Sequence, residues 1–287
     1  MGNPFIPFPR CENIIIVGDA AAEYLGALRI YGRGLIGGDV PSMELLHPME
    51  KHLECVSCFL NDPTQVLMPA VRRMKADFVV LEENGSADFN PAAGREALEK
   101  EGISVKMLDV RGSTESVLRR AGKLFGEEKQ AERIIRERTE RLAALDDVRK
   151  SIRKGQKAAI FLAIRSPVRH ESYVFRISER SALSQLLTNT FAIENINVRP
   201  NAEERIPGIQ ELDDLSDLFE KNLDLIVYTG DAAACGQKIT EFIRKHPQFA
   251  ECNAVKNGRI YGAPYYCHAL DLRRHEILEA WSDVLAD

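Results

Sequence analysis

GEEKQAERIIRERTERLAALDDVRKSIRK, at positions 126–154, is the stretch that decides the fold. Neither glycine nor proline interrupts it between Glu127 and Arg153. Charged residues fill most positions, and apolar residues recur at helical spacing: Ala131, Ile134, Ile135, Leu142, Leu145, Val148 and Ile152. The pattern therefore predicts one helix of roughly 40 Å, at about 1.5 Å per residue.

Strand-like runs lie on both sides of this helix, which predicts an α/β protein of two Rossmann-like lobes with mainly parallel sheets. The predicted divisions are 1–125 for the N-terminal lobe, 126–154 for the connecting helix and 155–287 for the C-terminal lobe. A rigid helix between two lobes suits a protein that holds a ligand in the groove between them. The alternative is an ordinary long surface helix within one α/β protein.

Composition excludes several classes of protein. The chain has 287 residues with 45% hydrophobic content, as soluble globular proteins do. Its net charge of -5 argues against a nucleic-acid surface. No apolar run approaches the roughly 18 residues that span a bilayer. The N-terminal MGNPFIP resembles no secretory signal, so we expect either a cytoplasmic protein or an exported one whose signal is absent from this sequence.

Six cysteines are too few for a disulfide scaffold in a chain of this length. Cys55-Val-Ser-Cys58 has metal or redox spacing, but a single CxxC pair is a weak signal for zinc or an iron–sulfur cluster. A structural or incidental role is favoured for it. A disulfide with Cys11, or among the cysteines of the second lobe, stays open.

Periodicity places the remaining elements. In the first lobe it predicts strands at 13–18, 76–81 and 103–108, and helices at 63–75, 91–101 and 114–125, with another helix starting at Asp19. In the second lobe it predicts strands at 157–164, 223–228 and 258–262, and helices at 182–190, 211–221, 237–244 and 270–285. The glycine-rich stretch 32–38 is predicted as a turn, and it lacks the spacing of a phosphate-binding loop.

Ligands of open parallel sheets bind beyond the carboxyl ends of the strands, so the candidate site residues are those that follow each strand. The first lobe offers the carboxylates Glu82 and Glu83, for which a solvated or helix-capping role is the favoured alternative. The second lobe offers cations, imidazoles and phenols: Arg165, Arg169, His170, Tyr173, Arg176, Tyr265, Tyr266 and His268.

The chemistry of the second set suits an anionic, planar or metal-containing ligand. Arginine binds carboxylates and other oxyanions through paired, charge-assisted hydrogen bonds. Tyrosine stacks on planar groups or ligates ferric iron, and histidine ligates metals. Adjacent Tyr265 and Tyr266 point to opposite sides of an extended stretch, and the sequence does not decide which one faces a ligand. A merely solvated charged loop is the alternative for 165–173.

Catalytic motifs are absent from the sequence. It contains no Gly-x-Ser-x-Gly nucleophile elbow, no His-Glu-x-x-His pair and no phosphate-binding loop. We therefore predict that the protein is not an enzyme, and we assign no catalytic residue and no covalently bound cofactor.

Several stretches resemble the class III solute-binding proteins of ABC importers, which carry iron–siderophores, haem or cobalamin. The most specific are AVKNGRIY at 254–261 and LFGEEKQAE at 124–132, the entry to the connecting helix. More generic similarity lies in IIVGDAAAEYL at 15–25, MKADFVVL at 74–81 and NLDLIVY at 222–228. The resemblance covers residues 12–287.

That resemblance implies two lobes with a ligand between them. It also implies that the protein docks onto a membrane permease, where one exposed glutamate of each lobe meets arginines of the permease. Glu23 falls on the first docking position. Ser216 occupies the second, with Asp214 and Asp217 beside it, which departs from the family pattern. Ligand residues vary in this family, so the candidate ligand residues rest on position and chemistry alone.

The leading hypothesis is a monomeric binding protein, in the periplasm or on the outer face of the cytoplasmic membrane, that captures a ferric siderophore and delivers it to a permease. Haem is the first alternative ligand, with Tyr173, His170, Tyr266 or His268 as axial ligands, and cobalamin is the second. A cytoplasmic, chelatase-like protein that handles a metal or metal cofactor is the alternative from another class.

Overall fold

The computed structural model describes residues 10–37, 47–152, 154–165, 172–197, 204, 208–212, 214–262 and 271–285. The chain divides into two compact units, with the boundary between Arg141 and Leu142. This boundary falls inside the long helix, so the helix begins in unit 1 and ends in unit 2. The predicted boundaries at 126 and 154 instead treat the helix as a separate segment.

Unit 1 is built on a parallel sheet. Among the described residues its strand order is β5-β4-β2-β6-β7, with every neighbouring pair parallel. These strands are β2 (Ile14–Val17), β4 (Gly34–Ile36), β5 (Lys51–Glu54), β6 (Phe78–Glu83) and β7 (Val105–Asp109). A separate short ladder pairs β1 (Arg10–Cys11) with β3 (Ile30–Tyr31).

Helices follow the strands of unit 1. They are α1 (Asp19–Ala27), α2 (Val56–Asn61), α3 (Pro63–Met74), α4 (Arg95–Lys100) and α5 (Thr114–Phe125), with a 3₁₀ turn at Pro91–Gly94. The α5 bounds match the prediction because both ends are encoded locally. The Ser113 hydroxyl accepts a hydrogen bond from the Ser116 amide, and Gly126 ends the helix in the left-handed conformation at φ 74°.

The predicted long helix is confirmed as α6 (Glu128–Ser151), 24 residues and so about 36 Å long. It begins two residues later than the sequence suggested, because Gly126 already terminates α5, and it ends at Ser151 instead of 154. Its apolar positions Ala131 and Leu145 are buried, while most charged positions are exposed. Arg138 is a buried exception, and its guanidinium donates to Glu115 at 2.8 Å.

Unit 2 is built on a mixed sheet. Among the described residues the order is β11-β9-β8-β12-β13, with β10 also paired to β8. The strands are β8 (Lys157–Arg165), β9 (Ser172–Ile177), β10 (Glu194–Asn195), β11 (Ile209–Glu211), β12 (Leu225–Gly230) and β13 (Ile260–Gly262). Strand β9 runs antiparallel to both β8 and β11, and the other pairs are parallel.

Apolar clusters cover both faces of this sheet. One includes Leu162, Val227 and Trp281, and the other includes Phe161, Ile226 and Phe242. The helices are α7 (Ala182–Phe191), α8 (Ser216–Phe219), α9 (Ala232–Lys245), α10 (Asn253–Lys256) and α11 (Arg274–Leu285), with a 3₁₀ turn at Pro247–Glu251. None of the helices in the described residues combines the length and apolar character needed to cross a membrane.

Two sequence predictions are wrong in detail. The helix predicted at 211–221 is instead the edge strand β11 followed by the short helix α8, because Ile209–Glu211 pairs with β9. The turn predicted at 32–38 contains β4, in which Gly34 leaves room for Leu53: a Cβ there would lie 2.7 Å from the Leu53 Cδ1. The α/β class with two units and mainly parallel strands is confirmed.

Candidate functional site

The carboxyl edge of the unit 2 sheet is formed by the ends of three parallel strands. Ala163 of β8 pairs with Gly230 of β12, and Tyr228 of β12 pairs with Gly262 of β13. The chain leaves this edge after Arg165 and again after Gly262. The predicted ligand residues Arg169, His170, Tyr265, Tyr266 and His268 belong to the segments that follow, and they lie outside the described residues.

Asp231 organises the described part of this edge. Its Oδ2 accepts a hydrogen bond from the Ser172 hydroxyl at 2.9 Å, and its Oδ1 accepts one from the Ala234 amide at 3.1 Å. Its own amide donates to the Ala163 carbonyl at 2.8 Å. One carboxylate thus ties together the end of β12, the first turn of α9 and the start of β9.

Gly230 makes the same junction sterically possible. It has φ +76°, and a Cβ there would lie 2.2 Å from the carbonyl oxygen of Ala163. Only glycine accommodates both the left-handed backbone and this close approach of neighbouring strands. The edge is therefore held in a fixed geometry by Gly230 and Asp231.

Tyr173 is the predicted ligand residue whose side chain is described at this edge. It stands in β9 opposite Ile164, next to Ser172, and is 41% exposed. An exposed ring on a hydrogen-bonded strand can stack on a planar ligand with little loss of conformational freedom. Arg165 ends β8 and pairs through its backbone with Ser172, so both predicted residues belong to the same edge.

Arg176 does not lie at the edge where β8 and β12 end, because β9 runs antiparallel to β8. It is the penultimate residue of β9, opposite Phe161 in the middle of β8, and is 0% exposed. Its guanidinium donates to both carboxylate oxygens of Asp217, at 2.6 and 2.9 Å, and to the carbonyl of Asp214. This corrects the placement of Arg176 among the residues that follow the strands: its buried guanidinium pairs with the partly exposed Asp217 and fastens α8 to the sheet.

The residues expected to dock onto a permease also have internal contacts. Asp217 is the partner of Arg176, whereas Asp214 is exposed and its Oδ1 accepts from the Leu215 amide at 2.8 Å and the Ser216 hydroxyl at 3.2 Å. Glu23 is only 1% exposed. Its expected exposure is wrong because every residue of α1 from Asp19 to Leu25 is buried.

The carboxyl edge of the unit 1 sheet holds Glu82 and Glu83. Glu82 is buried, and its carboxylate accepts hydrogen bonds from the Ala21 amide at 3.0 Å and the Asn84 side chain at 2.9 Å. A carboxylate at the first turn of α1 is stabilised by the unpaired amides there. Glu83 accepts from the Gly85 amide at 2.8 Å and the Asn90 side chain at 3.0 Å, which closes the loop at 84–90.

Gly18 fits closely against Glu82. Its φ is +119°, and a Cβ on it would lie 2.4 Å from both the Cβ and the Oε2 of Glu82. The buried carboxylate and the glycine therefore depend on each other. These contacts support the helix-capping alternative for Glu82 that the sequence left open.

Asp109 and Arg111 form a further charged pair at this edge that the sequence analysis did not identify. The Arg111 Nε and Nη2 donate to the two carboxylate oxygens of Asp109 at 2.9 and 3.0 Å. Hydrogen bonding to Arg111 lowers the pKa of Asp109 to about 2. An arginine two residues after an aspartate that ends a strand was the signal available, although that spacing is common.

Among the described residues, the candidate metal donors are Glu54, Cys55 and Cys58, whose donor atoms lie within 4.8 Å of one another. They occupy the end of β5 and the first turn of α2, at the same carboxyl edge of unit 1. The three other carboxylates described above at this edge instead accept hydrogen bonds from amides or from arginine; they are Glu82, Glu83 and Asp109.

Solved structures with the same fold are numerous. The iron-uptake system-binding protein FeuA from Bacillus subtilis is 19% identical, with a TM-score of 0.61 over 95% of this chain and 94% of that one. A periplasmic haem-binding protein from Pseudomonas aeruginosa is 15% identical, with a TM-score of 0.64 over 97% and 92%. The periplasmic haem-binding protein RhuT from Roseiflexus sp. RS-1 is 13% identical, with a TM-score of 0.65 over 96% and 98%.

These TM-scores and coverages establish a shared fold over nearly the whole chain, as the resemblance to class III solute-binding proteins predicted. A FeuA structure complexed with ferri-bacillibactin belongs to the same group, with 19% identity and a TM-score of 0.59. No protein-family model and no curated protein matches the sequence.

Proposed function

We propose that this chain is the substrate-binding component of an ABC importer, and that it captures a ferric siderophore and delivers it to a membrane permease. The observation that supports this most strongly is the extent of the structural similarity: siderophore-binding and haem-binding proteins match it over more than nine-tenths of both chains. The protein acts as a carrier and not as an enzyme.

The ligand is proposed to contact the carboxyl edge of the unit 2 sheet. Arg165 and Arg169 supply positive charge for the oxygens of an anionic chelate. Tyr173 offers an exposed ring, and the other proposed contacts are His170, Tyr265, Tyr266 and His268. Ser172 and Asp231, bonded at 2.9 Å, hold the start of β9 so that Tyr173 keeps its position.

Haem is the second candidate ligand, because several proteins of the same fold bind it. Tyrosine and histidine are both axial ligands of haem iron. The phenol of Tyr173 and the imidazole of His170 or His268 offer this chemistry. A ferric catecholate chelate and haem share an extended aromatic surface and anionic oxygens, so the same edge suits both.

Transport requires a partner and a location. We propose that a permease in the cytoplasmic membrane receives the ligand from a monomeric carrier in the periplasm or on the outer face of that membrane. Asp214 is the proposed permease contact, since it is exposed and adjacent to Ser216, whereas Glu23 is buried and Asp217 is paired with Arg176.

Native mass spectrometry tests this function. The full chain is mixed with a ferric tris-catecholate, a ferric hydroxamate, haemin and cobalamin in separate samples. We expect one ferric chelate to form a complex of one ligand per chain that survives gentle transfer into the gas phase. Preferential retention of haemin would support the second candidate. Stoichiometric iron and sulfide in anaerobically purified protein, with no complex in any sample, would contradict both.

A further inference from the structure

Cys55 and Cys58 form a cluster of nucleophilic side chains that the carrier function leaves unused. Their sulfurs are 3.1 Å apart, and the Cys58 amide donates to the Cys55 sulfur at 3.4 Å. Cys58 is exposed and Cys55 is half-buried. The pair follows β5, an edge strand, so both small-molecule thiols and disulfides can reach it.

We propose that Cys55 and Cys58 form a reversible intrachain disulfide, which makes the carboxyl edge of unit 1 a redox-sensitive site. The geometry is that of a pair poised to bond. Two sulfurs bound to one tetrahedral zinc ion at about 2.3 Å stand about 3.8 Å apart. The observed 3.1 Å is shorter than this, and the turn that carries both residues brings the side chains face to face.

The surroundings of the pair favour the disulfide over a thiolate site. The hydrogen bond with the Cys55 sulfur, partial desolvation and the Glu54 carboxylate together raise the pKa of Cys58 to about 12. Metal binding and thiolate catalysis both require the deprotonated sulfur, which these neighbours disfavour at Cys58.

The redox step is balanced by a disulfide of low molecular weight such as oxidised glutathione. The thiolate of one cysteine attacks a glutathione sulfur, forming a mixed disulfide and releasing one glutathione. The second cysteine then attacks the protein sulfur, forms the Cys55–Cys58 bond and releases the second glutathione. The protein loses two electrons and two protons, and oxidised glutathione becomes two glutathione thiols.

Peptide mapping of the full chain tests the proposal. Both cysteines fall in one tryptic peptide, residues 52–72, which contains no other cysteine. The native protein is treated with oxidised glutathione, unfolded, alkylated and digested. We expect this peptide to carry two alkyl groups before oxidation, and afterwards none, with a mass lower by two hydrogens than the unmodified reduced peptide. Dithiothreitol should restore both labels.

Cys235 and Cys252 serve as internal controls, because they are buried and lie in other tryptic peptides. Both should be alkylated fully in the unfolded protein, with or without oxidation. In Cys58→Ser, Cys55 should retain glutathione as a stable adduct, and in Cys55→Ser Cys58 should do the same. The rate of oxidation should rise about tenfold between pH 7 and pH 8, since the attacking thiolate becomes tenfold more abundant.

Three results would overturn the proposal. The first is two alkyl groups on peptide 52–72 after oxidation, and the second is two glutathione adducts that persist in the native protein. The third is one zinc ion per chain that is retained through dialysis and lost in Cys58→Ser. That last result would establish a metal site instead, with Glu54 as a third ligand. None of these outcomes depends on which iron complex the protein carries.

Discussion

At the carboxyl edge of the unit 1 sheet, Glu82 and Asp109 bond to the first turn of α1 and to Arg111, whereas at the corresponding edge of unit 2 Tyr173 is 41% exposed. At each edge one acidic side chain accepts a hydrogen bond from a backbone amide in the first turn of a helix. Glu82 does so for α1, and Asp231 does so for α9. Many side chains at strand ends therefore form hydrogen bonds that stabilise the fold. A ligand can contact only the side chains at these edges that remain exposed.

The largest expected effect concerns the glycines that shape the two edges. Gly230→Ala would place a Cβ 2.2 Å from a backbone oxygen, and Gly18→Ala would place one 2.4 Å from Glu82. Each should lower the free energy of unfolding by about 3 kcal/mol or more, measured by urea denaturation. Gly258→Ala is the control matched to Gly230→Ala, because its φ of +64° is close to the +76° of Gly230 but nothing lies within 4 Å of the added Cβ.

The free energy of unfolding of the control should fall by about 1 kcal/mol, which is the cost of the left-handed backbone alone. Equal losses in all three variants would mean that close packing at the edges contributes nothing beyond backbone conformation. The comparison of Gly230 with Gly18 adds detail: a backbone oxygen cannot move as a side chain can, so Gly230→Ala should be the more severe.

The second expected effect separates structural charge from ligand-binding charge in unit 2. Asp217→Ala leaves the guanidinium of Arg176 without its carboxylate partner. It should lower the free energy of unfolding, measured by urea denaturation, by about 2–3 kcal/mol. Arg176→Met removes the buried charge itself and should cost about 1 kcal/mol or less. Affinity for the iron complex should be unchanged in Arg176→Met. If Arg176→Met bound the iron complex at least tenfold more weakly with unchanged stability, Arg176 would be a ligand-binding residue after all.

The third expected effect compares one exposed aromatic ring from each edge. Tyr173→Ala should weaken binding of the preferred iron complex about tenfold, the loss of one stacking contact of about 1.4 kcal/mol. Phe89→Ala is the matched control, since Phe89 is 54% exposed in the loop that Glu83 closes in unit 1. Isothermal titration should show the control binding as the unmodified protein does. Equal losses would contradict the assignment of the ligand to unit 2.

The smallest expected effect is the acid sensitivity of the unit 1 edge. Arg111 holds the pKa of Asp109 at about 2, below its ordinary 3.8, so the pair stabilises the fold above pH 3.8 and loses this contribution as pH falls toward 2. Solvent screening limits it to about 1 kcal/mol, because the Asp109 side chain is 37% exposed.

Acid denaturation measures this contribution. Asp109→Asn should lower stability at pH 7 and show a shallower decline between pH 4 and pH 2 than the unmodified protein. Glu251→Gln is a suitable comparison, since the Glu251 carboxylate pairs with Lys256 on the surface of unit 2. If stability fell with pH identically in Asp109→Asn and the unmodified protein, the contact between Asp109 and Arg111 would contribute nothing to stability.

The sequence predicted the parts of the fold that local signals determine. Ser113 and Gly126 mark the two ends of α5, and continuous β-branched residues indicated the buried strands β2 and β6. Strand β9 was missed because its pattern contains the arginine at 176, whose charge is offset by Asp217, 41 positions away. The helix predicted at 211–221 failed for the same reason: pairing of β11 with β9 overrides the local preference.

The candidate site was predicted by position and not by environment. Placing ligand residues after the strands identified the edge at Arg165 and Tyr173, since strand direction alone fixes which ends meet. The sequence did not reveal that Glu23 and Arg176 are buried, because burial depends on what packs against α1 and β9. Ser172 and Asp231 were passed over as binding residues, since a serine at a strand start carries no distinctive signal.

The measurement that tests the central claim most directly is a fluorescence titration of the full chain with ferric chelates and haemin. Trp281 is the only tryptophan, and its ring meets the edge of Tyr261 at 6.2 Å, one residue before the carboxyl end of β13. We predict saturable quenching at one equivalent of ligand, with a dissociation constant of about 1 μM or tighter. Linear, unsaturable quenching by every iron complex and by haemin would contradict the proposal that this protein is their carrier.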